Sequence, residues 1–417
     1  MRVTKIFFSL LLYLLIIVYS LELLATFTLK KKYDLTQHTL DEYREMAIKN
    51  LPAYDNRANY TAFYEEREKN NIFPSFRLTF SHLHQGDWKN EIRNFLKKKI
   101  DNNNKIPFRG PINKKSLGSN EEGFREIILN DKYGFKNKNK IYKKKIDVFL
   151  IGDSFAEGLP FGNDYTIGDV ILKSSNLNVA NYGISGTGPL IALGVINEYG
   201  KEFKPHNVFY LFYEGNDLDD MMKEKHTFLK KYLNENFTQD LIFSHNEVKA
   251  FLEEYENIFN KILPIKIGQE KELKSKFKYK NLIVKEKIKN FFELNTLKEL
   301  IFSSSVFYKS KSHVDFIFFE KILLKIKNNV KRWGGSFYFV YLPSWDRYNN
   351  EYSFANTSFK RKIKGIVEKN KIQFIDVDDL FEENKVNDTK IFNLDLHGHY
   401  TKKGYEIIAK KIISLLN

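Results

Sequence analysis

Partway along the chain, a run of apolar residues ends abruptly in a serine. Residues 146–151 read Ile-Asp-Val-Phe-Leu-Ile, and Gly152, Asp153 and Ser154 follow at once. A run rich in β-branched and aromatic residues that stops at a glycine predicts a strand followed by a turn. Open α/β sheets bind their ligands at the carboxyl ends of the strands. The sequence therefore predicts a serine hydroxyl at that edge of a sheet.

From residue 145 onward, predicted strands alternate with predicted helices. The strands are expected at residues 146–151, 177–182, 207–213, 336–342 and 372–377. The helices are expected at residues 166–174, 190–199, 315–333, 358–369 and 401–416. This alternation predicts a three-layer α/β/α fold, in which helices cover both faces of a parallel sheet of about five strands.

Two stretches fall outside this alternation. Residues 218–313 are rich in Lys, Glu, Phe, Leu and Asn, with helical spacing at 247–261 and 282–302. They predict a helical insertion beside the strand ends, forming one wall of a cleft; an independent interaction domain is the alternative. Residues 33–144 are polar and aromatic with scattered Pro and Gly, and they predict an irregular lead-in region that packs against the domain of residues 145–417.

The N-terminus predicts a membrane segment. Residues 6–29 are almost wholly apolar, with Glu22 as the single charge. That length suits one bilayer crossing of about 20 residues. The run is long for a cleaved signal peptide and has no convincing small-x-small cleavage site, so residues 1–32 predict an uncleaved anchor. We expect a single-pass protein of the bacterial inner membrane whose remaining residues lie outside the cytoplasm.

The composition of the chain excludes several classes of partner and site. The 417 residues carry a formal net charge of +15, but the lysines are spread over helices and loops and form no basic motif. We therefore expect no nucleic-acid partner. The chain has no cysteine, which excludes disulfides, thiolate metal sites and a cysteine nucleophile.

Three further motifs follow the serine in the chain. Residues 181–189 read Asn-Tyr-Gly-Ile-Ser-Gly-Thr-Gly-Pro, and residues 213–217 read Tyr-Glu-Gly-Asn-Asp after an apolar run. Residues 395–405 read Asp-Leu-His-Gly-His-Tyr-Thr-Lys-Lys-Gly-Tyr and open the last predicted helix. This order of Ser, Gly, Asn and His resembles the SGNH (GDSL) hydrolase family, over roughly residues 143–417. The resemblance implies a flavodoxin-like sheet and serine ester chemistry.

The resemblance also implies roles for individual residues. Ser154 is the expected nucleophile, and its backbone amide, the Gly186 amide and the Asn216 side chain are the expected donors to a negatively charged oxygen. His399 is the expected general base, because the family pattern places a glycine five residues after the histidine and Gly404 stands there.

Three assignments stay open at this stage. Gly183 competes with Gly186 as a donor, and His397 competes with His399 as the base. The family usually has an aspartate three or two residues before the histidine, where this chain has Leu396 and His397. Asp395 lies four before, and we assign it as the acid of the triad, reached through a turn that is one residue longer. The alternatives are that another group orients the imidazole or that the site is a dyad.

Two pairs of histidines could suggest a metal. They are His397 with His399, and His82 with His84. A catalytic zinc needs three protein ligands, and neither pair has an obvious third nearby. We expect no metal and no cofactor.

The sequence therefore predicts a membrane-anchored serine esterase that acts through an acyl-enzyme. Its expected substrates are small esters and acetyl groups on cell-envelope or extracellular polysaccharide. The alternatives are an O-acyltransferase using the same site, and an inert scaffold or glycan-binding protein that retained the fold.

Overall fold

The structure is a computed structural model of the chain. It describes residues 2–33, 49, 51, 53–79, 91–273, 291, 292, 294, 314–348, 354–395 and 398–416. The strands are β1 (Phe76–Arg77), β2 (Arg109–Gly110), β3 (Lys115–Leu117), β4 (Ile127–Leu129), β5 (Val148–Gly152), β6 (Val179–Asn181), β7 (Asn207–Tyr213), β8 (Ser336–Leu342) and β9 (Gln373–Asp376).

Helices flank these strands along the chain. They are α1 (Arg2–Tyr33), α2 (Asn59–Asn70), α3 (Glu91–Asp101), α4 (Ser154–Glu157), α5 (Ile167–Ser174), α6 (Pro189–Val195), α7 (Asp217–Glu224), α8 (His245–Leu273), α9 (Phe316–Arg332), α10 (Phe354–Lys369), α11 (Val377–Glu383) and α12 (Lys402–Leu416). A π turn at Ile196–Gly200 and a short turn at Lys201–Phe203 extend α6.

The central sheet has five parallel strands in the order β6-β5-β7-β8-β9. All five lie where the sequence predicts them, with ends that differ by no more than two residues. The chain leaves β5 toward β6 on one side and then returns to β7 on the other. In this strand order the ligand-binding crevice opens at the carboxyl ends of β5 and β7, because the connections diverge there.

Side chains of alternate residues in each strand pack against opposite helical layers. Phe149 and Tyr210 belong to the apolar core that includes α6 and α9, whereas Leu150 and Leu211 belong to the core that includes α5 and α12. Strands buried on both faces need apolar residues at every position, which is why they read as unbroken runs. The predicted three-layer α/β/α class is confirmed.

The lead-in region, residues 33–144, contributes to the first of these cores. Phe76, Phe108 and Phe135 are each fully buried in the same cluster as Phe149. β1 pairs with β2, and β3 pairs with β4 as an antiparallel hairpin whose connection spans residues 118–126, here called the Glu121 loop. The Glu121 loop projects from elements that are themselves anchored in the core.

The predicted insertion is described in part. Helix α8 covers the predicted helix at residues 247–261, and Phe251 and Tyr255 pack on Phe76 with ring centroids 5.2 and 5.0 Å apart. α8 therefore lies against β1 of the lead-in region. The helix predicted at residues 282–302 falls almost wholly outside the described residues.

α1 holds an 18-residue stretch, Phe7–Leu24, with mean hydropathy 2.3 and mostly exposed side chains. Within the described residues it is the one helix that is long and apolar enough to cross a membrane. A cleaved signal sequence near an N-terminus has the same properties.

Candidate active site

The serine predicted from the sequence meets the histidine predicted 245 residues later. Ser154 begins α4 directly after β5, and its Oγ lies 2.7 Å from Nε2 of His399. Asp153 caps α4 by accepting a 2.9 Å hydrogen bond from the Phe155 amide. Its other carboxylate oxygen lies 3.2 Å from the Ser154 hydroxyl. The serine is thus held in a tight turn and is in hydrogen-bond contact with an imidazole.

The carboxylate on the far side of the imidazole comes from the lead-in region. Nδ1 of His399 lies 2.7 Å from Oε2 of Glu121, and the His399 amide points to the same oxygen at 3.4 Å. When Nδ1 carries the proton and donates it to Glu121, Nε2 is free to accept the proton of Ser154. The three side chains form one hydrogen-bonded chain from carboxylate to imidazole to hydroxyl.

This contact corrects the assignment of Asp395. Asp395 ends a 3₁₀ turn at Asn393–Asp395, its side chain is exposed, and its backbone φ is +61°. Nδ1 of His399 faces Glu121 and Nε2 faces Ser154, so neither ring nitrogen is left for Asp395. His397, the competing histidine, lies outside the described residues.

This arrangement shifts the pKa values of His399 and Asp153. Burial lowers the pKa of His399, but the charge and hydrogen bond of Glu121, together with the charges of Asp153 and Glu157, outweigh burial, so the net shift is upward from 6.5. Burial raises the pKa of Asp153 to about 6, against the opposing effects of the Phe155 amide and of His399. The Glu121 carboxylate therefore stabilises the imidazolium that forms when a proton leaves Ser154.

Aromatic packing fixes the imidazole. The ring of Phe155 stacks on Tyr213 at 4.1 Å and lies 4.5 Å from His399 and 4.8 Å from Tyr400. The hydroxyl of Tyr400 donates a 2.6 Å hydrogen bond to the Pro343 carbonyl. Because Phe155 directly follows the serine, the residues that present the hydroxyl also hold the base in place.

The predicted oxyanion donors follow the two strands that flank β5. Gly186 lies in the loop after β6, and Asn216 lies directly after β7. Gly186 is exposed with a φ of +76°, and no described residue accepts a hydrogen bond from its amide. The competing Gly183 donates its amide to Oδ1 of Asn181 at 3.0 Å. Of the two glycines, Gly186 is the one whose amide can serve a ligand.

Asn216 is oriented by a neighbouring carboxylate. Its Nδ2 donates a 2.9 Å hydrogen bond to Oδ2 of Asp220 in α7, which leaves a second N–H on the same nitrogen. The reverse orientation would set an amide oxygen against the carboxylate. Asp217 fixes the turn by accepting hydrogen bonds from the Tyr213 amide and the Tyr210 hydroxyl at 3.2 and 3.1 Å.

The described ranges hold no group of three or more His, Asp or Glu side chains that could bind a metal ion. His82 and His84 of the other histidine pair lie outside those ranges.

A serine, a histidine and a glutamate are thus in hydrogen-bond contact at the β5–β7 edge of the five-stranded parallel sheet of an α/β/α protein. No protein-family model and no curated protein matches the chain.

Among the solved structures that are similar to this chain, three illustrate the range of matches. A putative lipolytic protein of the G-D-S-L family from Desulfitobacterium hafniense DCB-2 is 11% identical, with a TM-score of 0.35 over 64% of this chain and 98% of that one. A lipolytic G-D-S-L protein from Veillonella parvula DSM 2008 is 12% identical, with a TM-score of 0.33 over 65% and 97%. Axe2, an acetylxylan esterase from Geobacillus stearothermophilus, is 18% identical, with a TM-score of 0.31 over 65% and 95%.

Proposed function

We propose that this chain is a serine esterase that acts through an acyl-enzyme on Ser154. The observation that carries the proposal is the unbroken pair of 2.7 Å contacts from Glu121 through His399 to Ser154. A hydroxyl is a weak nucleophile until a positioned base accepts its proton, and these contacts supply that base together with the group that orients it.

The reaction has two halves. His399 Nε2 takes the Ser154 proton while Oγ forms a bond to the ester carbonyl carbon, and the carbonyl electrons move onto oxygen. The amides of Ser154 and Gly186 and the Nδ2 of Asn216 are the donors assigned to that oxygen. Collapse breaks the ester C–O bond, and the imidazolium returns its proton to the leaving alkoxide. Water activated by His399 then releases the acid and restores the serine.

The proposed substrates are acetyl or other small acyl esters, with acetylated polysaccharide of the cell envelope or exterior as the natural class. Support for this class comes from the apolar stretch Phe7–Leu24, which is suited to holding an enzyme at a membrane facing such polymers. Retention of the full chain in membranes after carbonate washing is the expected result. Release in that wash, or a size reduced by signal cleavage, would contradict the anchor.

Labelling with a fluorophosphonate probe tests the nucleophile. The native chain should form an adduct and hydrolyse p-nitrophenyl acetate, whereas Ser154→Ala and His399→Ala should do neither at a measurable rate. An adduct that persists in Ser154→Ala would show that another residue is labelled. A native chain that is folded but neither labelled nor active would favour the inert-scaffold alternative.

The same acyl-enzyme could pass its acyl group to a sugar hydroxyl in place of water. Incubation with an acetyl donor and an unmodified glycan separates the two outcomes by product. Free acetate in proportion to donor consumed supports the esterase. Acetylated glycan in excess of free acetate would support the O-acyltransferase.

A further inference from the structure

One buried carboxylate beside the site has no part in the mechanism above. Glu157 is the last residue of α4, three positions after Ser154, and it is 1% exposed. Its Oε2 accepts hydrogen bonds from the Ser185 amide at 2.8 Å and from Nε of Arg77 at 3.1 Å. Its Oε1 accepts hydrogen bonds from Nη2 of Arg77 at 2.7 Å and from Nη2 of Arg109 at 2.8 Å.

The carboxylate is held in its charged form. Burial raises the pKa of Glu157, but the charges of Arg109 and Arg77 outweigh burial and bring it well below its ordinary value. Both arginines come from the lead-in region, Arg77 from β1 and Arg109 from β2. Removing one partner of a buried ion pair leaves the other charge uncompensated, so these three side chains hold one another in place.

Residues 183–188 are here called the oxyanion loop, and the acceptors of their backbone amides indicate the role of Glu157. Gly183 donates to Asn181, and Ile184 donates to the Gly152 carbonyl at 3.0 Å. Ser185 donates to Glu157, and Gly188 donates to Glu224 at 2.6 Å. Among the described residues, the Gly186 and Thr187 amides have no acceptor, and the Gly186 amide directly follows the amide that the buried carboxylate fixes.

We propose that Glu157 is a positioning residue of the oxyanion site, because its hold on the Ser185 amide sets the direction of the adjacent Gly186 amide. Arg77 and Arg109 fix the carboxylate and thereby make the lead-in region a part of that support. The inference rests on the proposed function. Ser154 and Glu157 lie in the single turn of α4, so this one rigid element fixes the position of the nucleophile relative to the oxyanion loop.

Two variants at Glu157 remove the support in different ways. Glu157→Gln replaces one oxygen with an N–H₂ that faces other donors. Glu157→Asp keeps the charge but shortens the side chain by one methylene, so it cannot reach the Ser185 amide and both arginines. Glu198→Gln is the matched control. Glu198 is equally buried and also accepts backbone amides, from Gln239 at 2.6 Å and Leu241 at 3.0 Å, away from the site.

The readout is steady-state hydrolysis of p-nitrophenyl acetate, with active sites counted by fluorophosphonate titration and folding checked by thermal melting. Outright loss of one oxyanion donor costs roughly 10²–10³ in kcat, so a displaced donor should cost roughly 10- to 100-fold. KM should change little, because the donor acts on charge that develops in the transition state. Fluorophosphonate labelling should slow in parallel. Glu198→Gln should keep its kcat per titrated site.

The outcomes separate the two proposals. An inactive, unlabelled native chain would end the proposed function. An active native chain whose Glu157→Gln and Glu157→Asp variants keep kcat within about twofold per titrated site would overturn the positioning role. A loss of kcat no larger than in Glu198→Gln would do the same. If Glu157→Gln does not fold, the charge-conserving Glu157→Asp decides.

Discussion

Replacing Glu121 with glutamine tests the contact that the sequence did not predict. Two unit charges about 4 Å apart interact by about 4 kcal/mol at an effective dielectric constant of about 20, which suits a pair near the surface. Glu121 is 19% exposed, so this value is an upper bound on its stabilisation of the imidazolium. At about 1.36 kcal/mol for each factor of ten, the lost charge alone lowers kcat by up to roughly 10³.

The glutamine has a second effect. Its N–H₂ can donate to Nδ1 of His399, which moves the imidazole proton to Nε2 and removes the acceptor that Ser154 needs. An amide in place of the triad carboxylate costs about 10⁴ in kcat in a well-studied protease for this reason. We therefore expect Glu121→Gln to lose at least as much activity as Glu121→Ala.

The assay is hydrolysis of p-nitrophenyl acetate across a pH series, with Asp395→Asn as the matched carboxylate control. Catalysis needs neutral His399, whose pKa lies above 6.5, so native kcat/KM falls as the pH drops through that value. Both Glu121 variants lose the largest influence that raises the His399 pKa, so the acid limb should move to lower pH than in the native chain. Asp395→Asn should stay within about twofold of native at every pH. Full activity in Glu121→Ala, or a large loss in Asp395→Asn, would refute the triad.

Three further changes test the surroundings. Asn216→Ala should lower kcat by roughly 10²–10³ with a small change in KM, because it removes a proposed oxyanion donor. Gly183→Ala should lower the melting temperature more than Gly186→Ala. A Cβ at Gly183 would lie 2.1 Å from the Glu157 backbone nitrogen, which leaves no room for it. A Cβ at Gly186 would lie 3.4 Å from its nearest neighbour, so that variant is destabilised mainly by its positive φ, by about 1–2 kcal/mol. Asp153→Asn removes a carboxyl whose pKa is about 6 in the folded chain and 3.8 ordinarily, a difference of about 3 kcal/mol. A raised pKa destabilises the native fold above about pH 6 and has no effect below about pH 4. The free energy of unfolding of Asp153→Asn minus that of the native chain should therefore rise by up to about 3 kcal/mol between about pH 4 and about pH 6. A difference that stays flat or falls over this pH range would contradict the assigned pKa.

The sheet could be read from the sequence because its strands are buried on both faces. Continuous apolar runs such as residues 208–213 leave no exposed face to interrupt them, and β7 contains those residues together with Asn207. The serine and the histidine could be placed for a related reason. Each stands where a regular element meets a turn, at the end of β5 and just before α12, and the local residues define both boundaries.

Glu121 could not be found in the same way. It lies in a hairpin loop 33 residues before Ser154, between two strands of three residues each, and nothing in its neighbours distinguishes it from other surface carboxylates. Only the β3–β4 pairing and the packing of the lead-in region carry it to the imidazole. The one usable signal is negative: Leu396 and His397 stand where the family pattern has an aspartate, which indicates a carboxylate from elsewhere in the chain.

The lead-in region contacts the residues of the site in three places. Phe135 packs on Tyr182 with ring centroids 4.1 Å apart, and Tyr182 is the residue before the oxyanion loop. β1 and β2 carry the arginines that hold Glu157, and the β3–β4 hairpin carries Glu121. A chain that folded only its five-stranded sheet would present Ser154 without an oriented base or a fixed donor loop. Assembly of the proposed site is therefore coupled to the packing of residues that precede the sheet, which local motifs in the sheet do not encode.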